Sequence, residues 1–548
     1  MILSSEARIA AAVEAGAWSR TTVDDLFRKA AAAAPERTAL TDVGASAVPG
    51  LGSSYTYADA NRRIEGLAAF FSSIGLRPDM VIGIHLPPCA DAAVVTLAAL
   101  RAGLVVSPLP LHWTKAEMET AIGVAGIKAI VTASEIEGQP SGELVRDVAG
   151  EVFAIRFVFA VGEGLPDGLI DLAEVMAEVD ALGAAPAVPR RGSPSDHVAL
   201  LSFTRTVDGR LCAVPLAHAA LVAMAAAHVR EAGIEAGATL FDLMHPASLT
   251  GFVGCLVSSL VVDGTAAFHN GIRMRLIAEA AGQCGADRVI APAALGPALA
   301  AALPAEVGLS LAWTGLDGRK PAAVPAARPV VDLITYGGLT LLPAARDDDG
   351  APRDIAVGPH RLRTMPLDGP VLAEARLKGR GTRDRRVTSG ELLLSGPLVP
   401  DAPWPEPVSG NVGGVLAFMS DGALRTGLTA KVSQDGATLT VTGTTTETIV
   451  VAGQAISPAR VDDLLQRHPA IVDAAVFGIE DRTLGARLGV AVVNRPGRRL
   501  TLDELNEWLD AEGASVLDRP ATLIAVPEIP RAADGSVARK SLFLAAVA

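Results

Sequence analysis

Residues 75–108 read GLRPDMVIGIHLPPCADAAVVTLAALRAGLVVSP. The Gly75 to Asp79 turn leads into a short apolar run over residues 81–86. A segment rich in Ala and Leu, residues 91–101, carries apolar side chains at helical spacing. Gly103 stops it, and residues 104–108 form a second apolar run. Short apolar runs without polar alternation are strands covered on both faces, which is the condition of a parallel sheet. A helix between two such strands supplies the right-handed crossover that parallel pairing requires.

The same alternation continues on both sides. Residues 57–74 are helical in pattern, and 115–124 and 129–132 repeat helix and strand. After residue 196 the pattern resumes with strands at 198–203, 239–244, 288–291 and 309–313 and helices at 216–229 and 251–262. Between 343 and 420 the texture changes to Pro, Gly, charge and short β runs such as 391–395, which predicts a small β subdomain. Residues 437–442 and 448–452 suggest a hairpin, followed by helices at 458–467 and 502–512 and strands at 474–477, 489–494 and 522–526. The expected fold is therefore α/β. A large N-terminal domain, 1–445, contains two parallel-sheet αβ subdomains (about 1–195 and 196–342) and a β subdomain (343–445). A smaller α+β domain, 446–548, follows.

Composition narrows the function classes. A length of 548 residues calls for more than one core, and half of the residues are apolar. A net charge of −13 argues against a nucleic-acid partner, because phosphate binding needs clustered Lys and Arg. The local basic run with Lys378, Arg380, Arg383 and Arg385 reads as a solvated loop. Asp347-Asp348-Asp349-Gly350 reads as an exposed turn, since adjacent carboxylates diverge, and no metal ligands are assigned. Cys89, Cys212, Cys255 and Cys284 are scattered without a CxxC pair, which fits a reducing compartment. Glu6, Arg8 and Glu14 interrupt any signal-peptide core at the N-terminus. Residues 211–229 are uncharged, but Pro215, His218 and His228 make them a buried strand–turn–helix rather than a membrane span. The expected location is the cytoplasm.

Ordered motifs then point to a family. Tyr57-Ala58-Asp59, the Gly75 to Asp79 turn and the Ala102 to Pro108 strand stand in the N-terminal part. Gly436, Gly443, Gly453, Ile456-Ser457-Pro458, His468-Pro469, Ala474-Ala475-Val476, Gly485 and Pro530-Arg531 follow in the last hundred residues or so. In order and spacing this chain resembles the adenylate-forming acyl-CoA synthetases, the AMP-dependent synthetase and ligase family. The resemblance implies ATP, Mg²⁺ and CoA as ligands and a small carboxylic acid, acyl or aryl, as substrate.

The family's nucleotide motifs are altered here. Its phosphate loop, Thr-Ser-Gly-Thr-Thr-Gly-x-Pro-Lys-Gly, falls on Thr204-Arg205-Thr206-Val207-Asp208-Gly209-Arg210-Leu211-Cys212-Ala213 when anchored on His218. Thr204 and Gly209 remain, Cys212 stands at the lysine position, and Asp208 adds a negative charge. The adenine and magnesium motif falls near Tyr336-Gly337-Gly338-Leu339-Thr340-Leu341, with no carboxylate to hold Mg²⁺. The ribose motif reads Arg425-Thr426-Gly427-Leu428, without its acid, and the hinge reads Gly443-Thr444-Thr445-Thr446. The C-terminal Gly-Lys reads Gly535-Ser536, so Ser536 stands where the family has its adenylation lysine. By resemblance, Thr204, Arg205, Gly209, Arg210, Tyr336, Gly337, Thr340 and Arg425 are the nucleotide-site candidates.

His245 follows a strand where the family often lines its acyl pocket, and it also reads as a hydrogen-bonded strand-end histidine. His218 reads as a packing residue beneath the loop, and Cys212 as a buried inert thiol. Three functions stay open. One is a divergent relative with lost or strongly altered adenylation, binding an acyl or aryl ligand or a pathway protein. Another is an active acid–CoA ligase with nucleotide contacts rebuilt through Arg205, Arg210 or Lys540. The third is a different reaction on a carboxylate or thioester in the old acyl pocket.

Overall fold

The computed structural model describes residues 1–178, 190–205, 210–245, 247–313, 320–325, 327–366, 368–378, 388–405, 413–451, 454–481, 484–532 and 535–542. Two parallel-rich sheets, an antiparallel sheet and a smaller C-terminal α+β unit follow one another, so the α/β class read from the sequence is what the chain adopts.

The first sheet has seven strands. Val81–Ile84 lies at its centre, between the parallel strands Val105–Pro108 and Ile127–Ala133. The turns around it are geometric necessities. Gly75, Asp79 and Gly103 all have positive φ, and the Asp79 N–H donates to the Gly103 carbonyl at 2.9 Å. The Tyr-x-Asp motif is structural as well. Thr56 caps the helix Tyr57–Ser73 by accepting from the Asp59 N–H, and the buried Tyr57 hydroxyl donates to the Gly264 carbonyl at 2.6 Å.

The second sheet has eight strands and does not begin at residue 196. The strands Thr38–Asp42 and Ser54–Thr56 belong to it, with Leu40 paired to Ala266. Conversely Val198–Arg205 and Leu211–Ala217 complete the first sheet, joined through Val106 and Leu200. The expected division into 1–195 and 196–342 therefore fails at the level of the sheets. Local periodicity reports that a strand exists, while its neighbour is chosen by long-range pairing.

Two further boundaries move. The helix expected at 216–229 is His218–Ala232, preceded by the strand Leu211–Ala217. The helix expected at 251–262 is wound as a π-helix over Thr250–Val257 before one α turn, Ser258–Val261. A Cβ on Gly251 would lie 3.1 Å from Met244 Cβ and 3.2 Å from Asp242 Oδ2, so only glycine lets this element approach the strand end so closely.

The six-stranded antiparallel sheet spans residues from Ile355–Ala356 to Thr438–Thr444. The hairpin expected from 437–442 and 448–452 is not formed. Thr438–Thr444 pairs with Leu424–Val432, whereas Ile449–Val451 pairs with Gln454–Ile456. Beyond it, Ile471–Asp481 and Gly485–Asn494 form a long antiparallel ladder, and Thr522–Ala525 adds in parallel. Helices Pro458–Leu465 and Leu502–Ala511 contribute Val461, Leu465, Leu505 and Leu509 to the core of this unit. No helix among the described residues is long and apolar enough to cross a membrane.

Candidate functional site

The carboxyl ends of parallel strands from both large sheets carry the candidate residues, the place where open α/β sheets bind ligands. Thr204 and Arg205 end the strand Val198–Arg205. Tyr336 and Gly337 lie just past Val330–Ile334, and His245 lies just past Thr239–Asp242. Two bonds tie the sheets together at this point. Ser202 Oγ donates to the Gly338 carbonyl at 3.2 Å, and the Leu111 N–H donates to His245 Nε2 at 3.3 Å.

The Tyr336 turn is strained on purpose. Tyr336, Gly337 and Gly338 have φ of 48°, 75° and 86°, a run of left-handed residues that a tyrosine adopts at a cost. The N–H groups of Gly338, Leu339 and Thr340 all aim at the Thr335 carbonyl, at 3.1 to 3.3 Å. A Cβ on Gly337 would lie 3.6 Å from Thr204 Oγ1, so the turn rests against the strand end. Tyr336 is buried, and burial pushes its phenol well above the usual range.

Arg205 lies at a position that the resemblance gives to the phosphate loop, and it is engaged by protein. Its Nε donates to the Ala455 carbonyl of the C-terminal unit at 3.0 Å, and its guanidinium lies 3.9 Å from Glu117 Oε1. Glu117 is held for this by local sequence. Thr114 and Glu117 form a reciprocal capping box on the helix Lys115–Ala125, with Glu117 Oε2 as acceptor and Oε1 left to face Arg205. Burial, then repulsion from Arg460, lowers the Arg205 pKa. Arg460 in turn pairs with the fully buried Asp518, and Ser515 Oγ donates to the His112 carbonyl at 3.1 Å. The C-terminal unit thus docks on the site through the Ala455 carbonyl and Ser515, with Arg460 held beside Arg205 by Asp518.

The other candidates sit in different surroundings. Thr340 is fully buried and its hydroxyl donates to the Leu398 carbonyl at 2.6 Å, so it holds the turn. Arg425, on the antiparallel sheet, is paired through Nε and a terminal nitrogen with Glu391 at 2.9 to 3.1 Å. Arg210 is exposed and donates to the Gly413 carbonyl at 3.1 Å. Ser536 lies in an exposed turn whose carbonyl accepts from the Ala532 N–H at 2.7 Å. Gly209 and Asp208 lie outside the described residues. Cys212 is fully buried in its strand, and His218 is buried with Nδ1 accepting from the Val23 N–H at 3.3 Å. Among the described residues no His, Cys, Asp or Glu group is arranged to hold a metal ion, so those residues do not fit a dedicated Mg²⁺ site.

Sequence reasoning missed Glu117, Arg460, Ser515 and Asp518, as well as two histidines beside His245. Glu117 carried a local signal, the Thr-x-x-Glu spacing of a capping box, and so did Ser515 and Asp518, whose Ser-x-x-Asp spacing caps the turn Val516–Asp518. The His112 and His245 rings meet edge to face with centroids 5.7 Å apart, and Trp113 and Phe203 meet the same way at 5.1 Å. His85, buried at the end of Val81–Ile84, completes the group. Burial, then the neighbouring histidines, holds His85 down to about 4 and His245 to about 3, so the rings are neutral.

Comparison with known proteins agrees with this geometry. The model described as AMP-binding enzyme matches residues 27–281, and the model for the AMP-binding enzyme C-terminal domain matches 460–535. A salicyl-AMP ligase / salicyl-S-ArCP synthetase of Mycobacterium tuberculosis is 28% identical over 96% of this chain and 91% of its own. A 2-hydroxy-7-methoxy-5-methyl-1-naphthoate–CoA ligase of Streptomyces carzinostaticus is 25% identical over 97% and 94%. In fold, the chain is similar to the amide bond synthetase McbA of Marinactinospora thermotolerans, with a TM-score of 0.68, 20% identity and coverage of 96% and 99%. Two consecutive family models, relatives along nearly the whole chain and a shared fold converge: the chain belongs to the adenylate-forming superfamily of AMP-binding enzymes, the acyl and aryl ligases.

Proposed function

We propose that this chain binds a small carboxylic acid, acyl or aryl, beside His245, and that its adenylation activity is lost or strongly reduced. It serves as a ligand-binding member or a protein partner of a cytoplasmic pathway. The observation that carries the reading is Arg205. The guanidinium beside the phosphate-loop position is engaged by the Ala455 carbonyl and Glu117, and the loop around it lacks the family lysine. Arg425 is held by Glu391, and Ser536 offers no cation to a developing phosphate charge. Each missing electrostatic donor typically costs roughly 10²–10³ in rate, and such losses do not simply multiply. The activities of the aryl ligases above support an aryl acid as ligand, and the scattered buried thiols Cys89 and Cys255 support a reducing compartment.

A second reading keeps ligase activity, because the relatives along nearly the whole chain are named as ligases. Isothermal titration with ATP and Mg²⁺, and with a non-hydrolysable acyl-adenylate mimic, separates the two. The proposal expects no heat from ATP–Mg²⁺ and a rise in melting temperature with aryl carboxylates alone. Micromolar ATP binding together with acid-dependent pyrophosphate exchange would replace it with the active ligase.

A further inference from the structure

Three imidazoles converge from separate strand ends beside the site, and one of them has a ring nitrogen without a partner. His85 is 1% exposed, and its Nδ1 lies 3.2 Å from Thr132 Oγ1. Its Nε2 is buried and bonds to nothing in the protein. A buried, unmatched polar atom is costly, so a fold retains one where something else completes it. Thr132 Oγ1 is 3.5 Å from its alternative acceptor, the Ala133 carbonyl, against 3.2 Å from the ring. The hydroxyl can accept from Nδ1–H while donating to that carbonyl, or donate to Nδ1, and under either tautomer Nε2 is left without a partner in the protein. His245 is fixed differently. A neutral His245 ring has one acceptor nitrogen, so it accepts from either the Ala247 N–H, 3.2 Å from Nδ1, or the Leu111 N–H, 3.3 Å from Nε2, and backbone N–H groups lie against both nitrogens.

We propose that His85 is a specificity residue, whose Nε2 hydrogen-bonds with a hydroxyl group on the ring of an aromatic carboxylic acid bound beside His112 and His245. This rests on the acid-binding reading above and adds the class of acid and the residue that selects it. The aromatic part follows from the neighbourhood, because the edge-to-face pairs His112–His245 and Trp113–Phe203 suit a flat ring better than a flexible chain. The oxygen part follows from the buried Nε2, which pairs with a hydroxyl group whichever tautomer the ring adopts. A metal ion is not the occupant, since no described cluster of ligating groups is arranged to hold one.

The test is calorimetric titration of the full chain with benzoate and with the three monohydroxybenzoates, for wild type, His85→Phe and His85→Gln. Wild type is expected to bind one hydroxy isomer at least about tenfold more tightly than benzoate. His85→Phe should abolish that preference by weakening the favoured hydroxy isomer to the level of benzoate, and His85→Gln, which keeps a hydrogen-bonding amide, should restore part of it. A preference that survives His85→Phe, or a wild type that does not discriminate, overturns the assignment of His85 and leaves acid binding standing. If no acid binds at all, the acid-binding reading fails and this inference falls with it.

Discussion

At the scale of single residues, the buried histidines give the chain a pH response whose sign follows from burial. His228 is fully buried, with Nδ1 3.0 Å from Ser258 Oγ and Nε2 2.7 Å from Ser310 Oγ, a setting that suits the neutral ring. Burial, then Arg288, holds it at about 3, and burial also holds His218 at about 3 and His85 at about 4, against an ordinary 6.5. The unfolded chain takes up these protons as the pH falls through 6.5 and the folded chain does not. Their stabilisation is therefore complete above 6.5 and drains away toward pH 4. Asp242 works the other way. Burial raises it from 3.8 to about 7, so its contribution is complete below 3.8 and lost as the pH rises through 7. Four depressed histidines, with His245 also held at about 3, outweigh Asp242 together with Asp42, which burial raises to about 6, between pH 6.5 and 4.5, and the melting temperature should fall across that window. A flat or rising profile in thermal melts would contradict the assignment of neutral, buried rings.

At the scale of elements, the helix Lys115–Ala125 shows how a local motif reaches the site. Its capping box and the left-handed Gly126 that ends it are legible in the sequence, whereas the partner of the free Glu117 oxygen is not. Substitution separates the two roles. Glu117→Gln keeps an N3 acceptor for the cap and removes the charge facing Arg205, so stability should change by only a few tenths of a kcal/mol. Thr114→Ala removes the cap and should cost about 1 kcal/mol. Chemical denaturation followed by circular dichroism measures both. Equal losses for the two variants would mean that the Arg205 contact, not the cap, stabilises this element. The same limit explains the missed hairpin. The apolar runs near 437–442 and 448–452 are real strands, but each had a better partner elsewhere in the chain.

At the scale of the whole molecule, the C-terminal unit is held against the nucleotide-loop position by Arg205 on Ala455 and by Ser515 on the His112 carbonyl. The segment before it lacks the family's hinge acid, reading Gly443-Thr444-Thr445-Thr446, and the Thr445 N–H is engaged by the Gly427 carbonyl at 2.7 Å. Arg205→Ala should loosen this docking. Hydrogen exchange over residues 443–456 is expected to quicken several-fold while exchange in Ile471–Asp481 stays unchanged, since that ladder has its own core. Unchanged exchange over 443–456 would show that Arg205 does not hold the two parts together.

What the sequence determined by itself was the alternation of helix and strand, the α/β class and the family, because these follow from periodicity, turn glycines and ordered motifs that act within a few residues. It also set out the residues at the positions that the resemblance gives to the nucleotide motifs, Cys212, Leu428 and Ser536 among them. Only the tertiary structure decided which sheet each strand joined, that Arg425 faces Glu391 and Thr340 faces Leu398, and that His85, His112 and His245 share one neighbourhood. The physical reason is distance along the chain. Arg205 and Ala455 are 250 residues apart, and no local propensity reports a contact that exists only once two separate cores have packed together.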